Sequence, residues 1–126
     1  MNLTNEQPSQ EDLMQFEQSR NQLMGVSGQK QQLQAQTNLL GKSLEELDKT
    51  TEKKVYKAVG NILILSDVIQ TKKELKETKE SIDLRVKTLQ KQEDILVQKL
   101  NKIRAKIQGK PAEEETETKK NSKTKK

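Results

Sequence analysis

Val55-Tyr56-Lys57-Ala58-Val59-Gly60-Asn61-Ile62-Leu63-Ile64-Leu65 lies between two long stretches whose apolar residues recur at heptad spacing. Val55 to Val59 and Ile62 to Leu65 are rich in β-branched and large apolar side chains, which suit extended backbone. Gly60-Asn61 between them is a two-residue hairpin signal, because Gly takes positive φ freely and Asn does so more readily than most residues. A buried helix running straight through is the alternative. The mid-run Gly60-Asn61 and the loss of 3.5-residue spacing argue against it. The segment predicts a β-hairpin at the bend between two helices.

Such a hairpin has unusual needs. In Ile62-Leu63-Ile64-Leu65, successive apolar side chains point to opposite faces, so the strand has no polar face to offer water. An isolated two-stranded hairpin is marginal, and both of its edges are unpaired. The segment therefore calls for strands from neighbouring subunits and apolar cover, and it predicts an oligomer built around shared β structure with coiled coils projecting from it.

Working outward, Phe16, Leu23, Lys30, Thr37, Leu44 and Thr51 fall at heptad a, with Ser19, Val26, Leu33, Leu40 and Leu47 at d. After the insert, Leu75, Ile82, Leu89, Leu96 and Ile103 fall at d, with Lys79, Val86, Glu93, Leu100 and Ile107 at a, and this second seam is the stronger. Each helix is expected to run for about 40 residues, roughly 60 Å. Neither persists alone with an apolar stripe exposed, and a short connection forces the two antiparallel. Ser66 and Asp67 are good N-cap types before the second helix, and Gly109 followed by Pro111 ends it.

The predicted class is all-α dominated: a long antiparallel coiled-coil hairpin with a small β-hairpin at the bend that joins an intersubunit β-barrel. The expected organisation is a flexible N-terminus over 1–8, helices over 9–53 and 67–108, the oligomerisation insert over 54–66, and a disordered charged tail over 109–126. In the tail, Glu113, Glu114, Glu115 and Glu117 precede Lys119, Lys120, Lys123, Lys125 and Lys126. Lys30, Thr37, Lys79 and Glu93 interrupt the seams. Gly25, Gly28 and Gly41 each cost the first helix about 1 kcal/mol relative to Ala. Either the polar positions merely set register, or Gly25 and Gly28 loosen the end furthest from the bend.

Composition narrows the function. With 29% hydrophobic and 2% aromatic residues among 126, the chain lacks material for a conventional globular core, and its apolar residues must serve narrow seams. A net charge of +5 comes from interleaved signs, as on solvated coiled-coil faces, so nucleic acid is not an expected partner. Zero Cys and zero His remove thiol chemistry, imidazole acid/base work and most zinc sites; no enzyme activity, metal or cofactor is expected. Met1 to Pro8 has no signal-peptide pattern, and no apolar run approaches the roughly 20 residues that span a bilayer. The expectation is a soluble, cytoplasmic protein without membrane partners.

The long helix, the Val-Tyr-Lys-x-Val-Gly-x-x-Leu segment at 55 to 63 and the second helix carrying Leu84-Arg85-Val86-Lys87-Thr88-Leu89-Gln90-Lys91-Gln92-Glu93 resemble the prefoldin family, in its β-type subunits, over about residues 13 to 108. The resemblance implies a hexamer of two α-type and four β-type subunits whose β-hairpins build a double β-barrel body with helical hairpins as tentacles. It implies an ATP-independent chaperone that holds unfolded proteins at the tentacle tips and passes them to a group II chaperonin. Val55, Tyr56, Val59, Gly60, Ile62, Leu63, Ile64 and Leu65 match the barrel segment. Leu13, Phe16, Leu23 and Val26 with Leu96, Leu100, Ile103 and Ile107 occupy the outer helix ends, where clients are expected to bind.

Independently of the family, apolar residues outside the seams lean toward that far end, where Leu13, Met14, Met24, Ile95 and Val97 occur. Exposed apolar groups with flexible Met among them suit promiscuous contact. The competing class is a structural coiled-coil tether that dimerises through its helices and has no client.

Overall fold

The computed structural model describes residues 9–109. The expected flexible N-terminus and all of the charged tail beyond Gly109 lie outside the described residues. Element order is α1 (Gln10–Lys49), β1 (Lys54–Val59), β2 (Ile62–Asp67) and α2 (Val68–Gln108). These two long helices and one small antiparallel sheet are the helix-dominated hairpin fold that the periodicity implies.

The helix boundaries have local causes. Ser9 caps α1: its hydroxyl accepts from the Asp12 amide at 2.9 Å, and Glu11 and Asp12 place negative charge at the positive end of the helix. The α1 helix stops at Lys49, earlier than the expected 53. The Thr50 hydroxyl takes the Glu52 amide at 3.1 Å, a local bond that competes with another helical turn. Thr51, placed at heptad a, is consequently past the helix and exposed. Gly109 closes α2 in the left-handed region at φ 73, its amide reaching the Lys106 carbonyl at 3.3 Å.

Strand pairing runs further than the apolar run suggests. Val59↔Ile62, Ala58↔Leu63, Lys57↔Ile64 and Tyr56↔Leu65 continue to Val55↔Ser66 and Lys54↔Asp67. Ser66, within the expected insert, and Asp67, expected to open the second helix, therefore finish β2 directly before α2. The Val68 amide donates to the Lys53 carbonyl at 2.9 Å and ties the base of the hairpin.

The heptads translate directly into burial. Of the assigned positions, all those on α2 and all those on α1 up to Leu47 are buried or half-buried. The chain divides into two compact units, one of residues 29–89 and one that joins the segment before residue 29 to the segment after residue 89. In the first, the hairpin unit, Thr37 donates to Asp83 at 2.5 Å and Lys72 meets Asp48 at 2.8 Å, a Cβ on Gly41 would lie 3.6 Å from Lys79 Cε, and Leu89 is buried. From Asp48 back to Gly41 and Thr37, each step along α1 is matched by an equal step forward along α2, the mark of antiparallel pairing. In the second, the terminal unit, Ser27 donates to Glu93, and Ser19, Leu100, Ile103 and Ala105 are buried.

Several polar interruptions of the seam thus have partners. Thr37 and Lys79 both meet Asp83, and Glu93 meets Ser27. Among the described residues no buried side-chain polar atom lacks a partner, so these positions avoid the cost of orphaned polar groups.

Three carboxyls of the hairpin unit are held below the usual range. Asp48 is lowered by hydrogen bonding and then charge from Lys72, Glu74 by hydrogen bonds from Lys57 and Gln70, and Asp83 by those from Thr37 and Lys79. A carboxyl whose folded-state pKa is depressed stabilises the fold above its unfolded-state pKa, and that stability is lost as pH falls through the lower folded value. The melting temperature is expected to drop below about pH 4, and Asp83→Asn should flatten this acid-side slope in a pH series of thermal melts.

Candidate functional site

Two surfaces stand out, one in each unit. The first is the β-hairpin. Gly60 takes φ 61 while Asn61 does not enter positive φ, the sign pattern of a type II′ turn, so only the glycine is required by the bend. Strand alternation then sorts the side chains. One face carries Tyr56, Ala58, Leu63 and Leu65, all exposed, with Tyr56 at 70% and Leu63 at 68%. The other carries Val55, Lys57, Val59, Ile62, Ile64 and Ser66.

That second face is anchored to the start of α2 at its base. Lys57 Nζ lies 2.9 Å from Glu74 Oε2, and Thr71 donates to Ser66 Oγ at 2.8 Å. Val55 and Lys57 are half-buried there, whereas Val59, Ile62 and Ile64 nearer the turn remain exposed. Lys54 and Asp67 approach to 3.9 Å across the open end, an exposed pair that contributes little. The sheet has two strands, so among the described residues both outer edges are unpaired. A hairpin with apolar groups on both faces and two free edges is a template for further strands.

One member of this surface is missing from the sequence reading. Ile69, at the first turn of α2, is 84% exposed and extends the apolar surface past the strands. Its signal is the pair Val68-Ile69 directly after β2. Val68 falls on the seam and is buried, so its neighbour has to point elsewhere.

The second surface is at the helix ends of the terminal unit, and here the expected client-binding residues separate into two sets. Leu13 is exposed. Phe16, Leu23, Val26, Leu96 and Ile107 are half-buried, and Leu100 and Ile103 are 6% and 5% exposed. These seven belong to the packed seam. The apolar groups that face water with Leu13 are Met14, Met24 and Ile95, while Val97 is half-buried. The first set holds the helices together, and the second is available to a partner without unpacking them.

The geometry defines a class: a coiled-coil hairpin whose bend carries a two-stranded antiparallel sheet with apolar groups on both faces. Residues 10–114 match the family described as prefoldin subunit. The prefoldin subunit beta of Pyrobaculum neutrophilum is 40% identical over 102 residues, which is 79% of this chain and 81% of that relative. That of Saccharolobus islandicus is 38% identical over 99 residues, 78% and 79% of the two chains. The crystal structure of the prefoldin beta subunit from Thermococcus strain KS-1 superposes with a TM-score of 0.73 at 34% identity, covering 79% of this chain and 89% of that one. The chain belongs to the prefoldin subunit family, among its β-type members.

The division of the tip residues is testable by stability alone. Ile103→Ala should cost roughly 2–5 kcal/mol in urea unfolding because it opens a cavity in the seam. Leu13→Ala, at an exposed position, should stay within about 0.5 kcal/mol of the parent.

Proposed function

We propose that the chain is the β-type subunit of an ATP-independent holding chaperone, assembled with an α-type partner as a hexamer of two α and four β, that captures unfolded proteins in the cytoplasm and delivers them to a group II chaperonin. The observation that carries the reading is the β-hairpin, apolar on both faces and open at both edges, in a chain of this family. A tether that dimerised through its helices would leave that hairpin uncovered. Covering Tyr56, Ile62, Leu63, Ile64 and Leu65 in a shared barrel removes their apolar surface from water, at about 25 cal/mol per Å².

Clients meet the exposed set of the terminal unit: Leu13, Met14, Met24 and Ile95. Each offers one exposed side chain, so one contact is weak and reversible. Full burial of such a side chain stabilises by about 1.5–3 kcal/mol before ordering costs. Several subunits engaging one unfolded chain raise avidity by roughly a hundredfold or more, provided the client spans them. Two methionines in the set suit a surface that adapts to many sequences.

Native mass spectrometry of the chain, alone and mixed with an α-type subunit from the same organism, tests the assembly. A two-α, four-β heterohexamer is expected, and a homodimer indifferent to the α subunit would favour the tether. Ile62→Asp with Ile64→Asp should abolish the hexamer. Leu13→Ser, Met14→Ser and Ile95→Ser together should leave the hexamer intact and weaken suppression of client aggregation several-fold; undiminished suppression would move the client surface elsewhere.

A further inference from the structure

In the part of α2 that belongs to the terminal unit, Lys91, Ile95, Lys99, Lys102 and Lys106 follow one another at i, i+4, i+8, i+11 and i+15. At 3.6 residues per turn this spacing keeps all five on one side of the helix. All five are exposed, Ile95 at 64%. The stripe is about 22 Å long at 1.5 Å rise per residue. Its charges are of one sign, and its one apolar group has a lysine one turn to either side.

Lysines on a coiled-coil helix are ordinarily interleaved with carboxylates that they can pair with. The hairpin unit follows that habit: Lys57 meets Glu74, Lys72 meets Asp48 and Lys79 meets Asp83. In the stripe, none of the four lysines forms a salt bridge among the described residues. The nearest carboxylates on α2 are engaged elsewhere, Glu93 accepting from Ser27 and Gln90, and Asp94 from Gln90. Glu11, Asp12 and Glu17 of α1 pair with none of the four either. The helix dipole accounts for Lys106 in the last turn, but its influence does not extend back to Lys91 and Lys99.

We propose that this stripe selects acidic segments of unfolded chains. Resting on the chaperone reading, it names a class of client: an extended segment in which an apolar side chain is flanked by Asp or Glu. At about 3.3 Å per residue, roughly seven residues of extended chain cover the stripe. The apolar side chain meets Ile95, and the carboxylates lie toward Lys91 on one side and Lys99, Lys102 and Lys106 on the other. Each exposed pair contributes little alone, but a row of like charges steers encounter and penalises basic segments. Nucleic acid fits the stripe less well, because binding of single strands relies on aromatic platforms for the bases. The chain has two aromatic residues: Phe16 is half-buried in the seam, and Tyr56 lies in the hairpin unit.

Fluorescence anisotropy of the full chain with two labelled, unstructured peptides tests this. The peptides share their apolar residues, and one carries Glu where the other carries Lys. The Glu peptide is expected to bind about tenfold more tightly at low salt, and the difference should vanish near 1 M salt, where screening acts within about 3 Å. A Lys99→Gln, Lys102→Gln, Lys106→Gln variant should fold, since these side chains are exposed and Gln suits a helix about as well as Lys. It should bind both peptides alike. A Lys42→Gln, Lys49→Gln, Lys73→Gln variant, with the same change in net charge at exposed positions of the hairpin unit, should keep the preference. Equal binding of the two peptides by the parent, an unchanged preference in the stripe variant, or tighter binding of a single-stranded oligonucleotide than of the Glu peptide would overturn the proposal. Apolar capture without a charge preference removes the stripe alone, whereas no binding of either peptide removes the client surface and the stripe with it.

Discussion

Everything in this molecule depends on a β-hairpin that has no polar face. Strand geometry sends Ile62 and Ile64 one way and Leu63 and Leu65 the other, and the turn at Gly60 pairs them with a first strand that adds Tyr56 and Val59. Two strands cannot bury these groups against each other, because side chains stand off the sheet plane. The start of α2 covers only the base, through Lys57, Ser66 and their partners. The apolar surface left over accounts for a subunit with so little core of its own.

The helices solve a different problem. A narrow seam with polar interruptions would be unstable if Thr37, Lys79 and Glu93 were left without partners, because desolvated polar groups cost more than the contacts they displace. Here Asp83 serves both Thr37 and Lys79, and Ser27 serves Glu93. The interruptions are thereby converted into specific antiparallel pairings at modest cost. The helices remain less tightly held at these levels than an all-leucine seam would be.

Much of this was legible from residue order. Heptad spacing alone located the buried line of both helices, since 3.5-residue periodicity leaves few alternatives for which face packs. Gly60 marked the turn because a tight hairpin needs positive φ and glycine supplies it without strain. The helix end at Lys49 was less legible, because Thr51 fits the heptad and only the local bond from Glu52 to Thr50 ends the pattern. Strand lengths were underestimated for a similar reason: Ser66 and Asp67 look like helix caps, yet the ladder continues through them. Ile69 escaped notice because its exposure depends on which neighbour the seam takes.

By itself the sequence determined the fold class and the seam, because these follow from periodicity and from the one interruption at Gly60. Only the tertiary structure decided which apolar residues at the helix ends are packed and which are free. Leu100 and Leu13 are the same residue type in the same unit, and one is buried while the other is exposed. That difference depends on how the helices face one another, and composition carries no record of it.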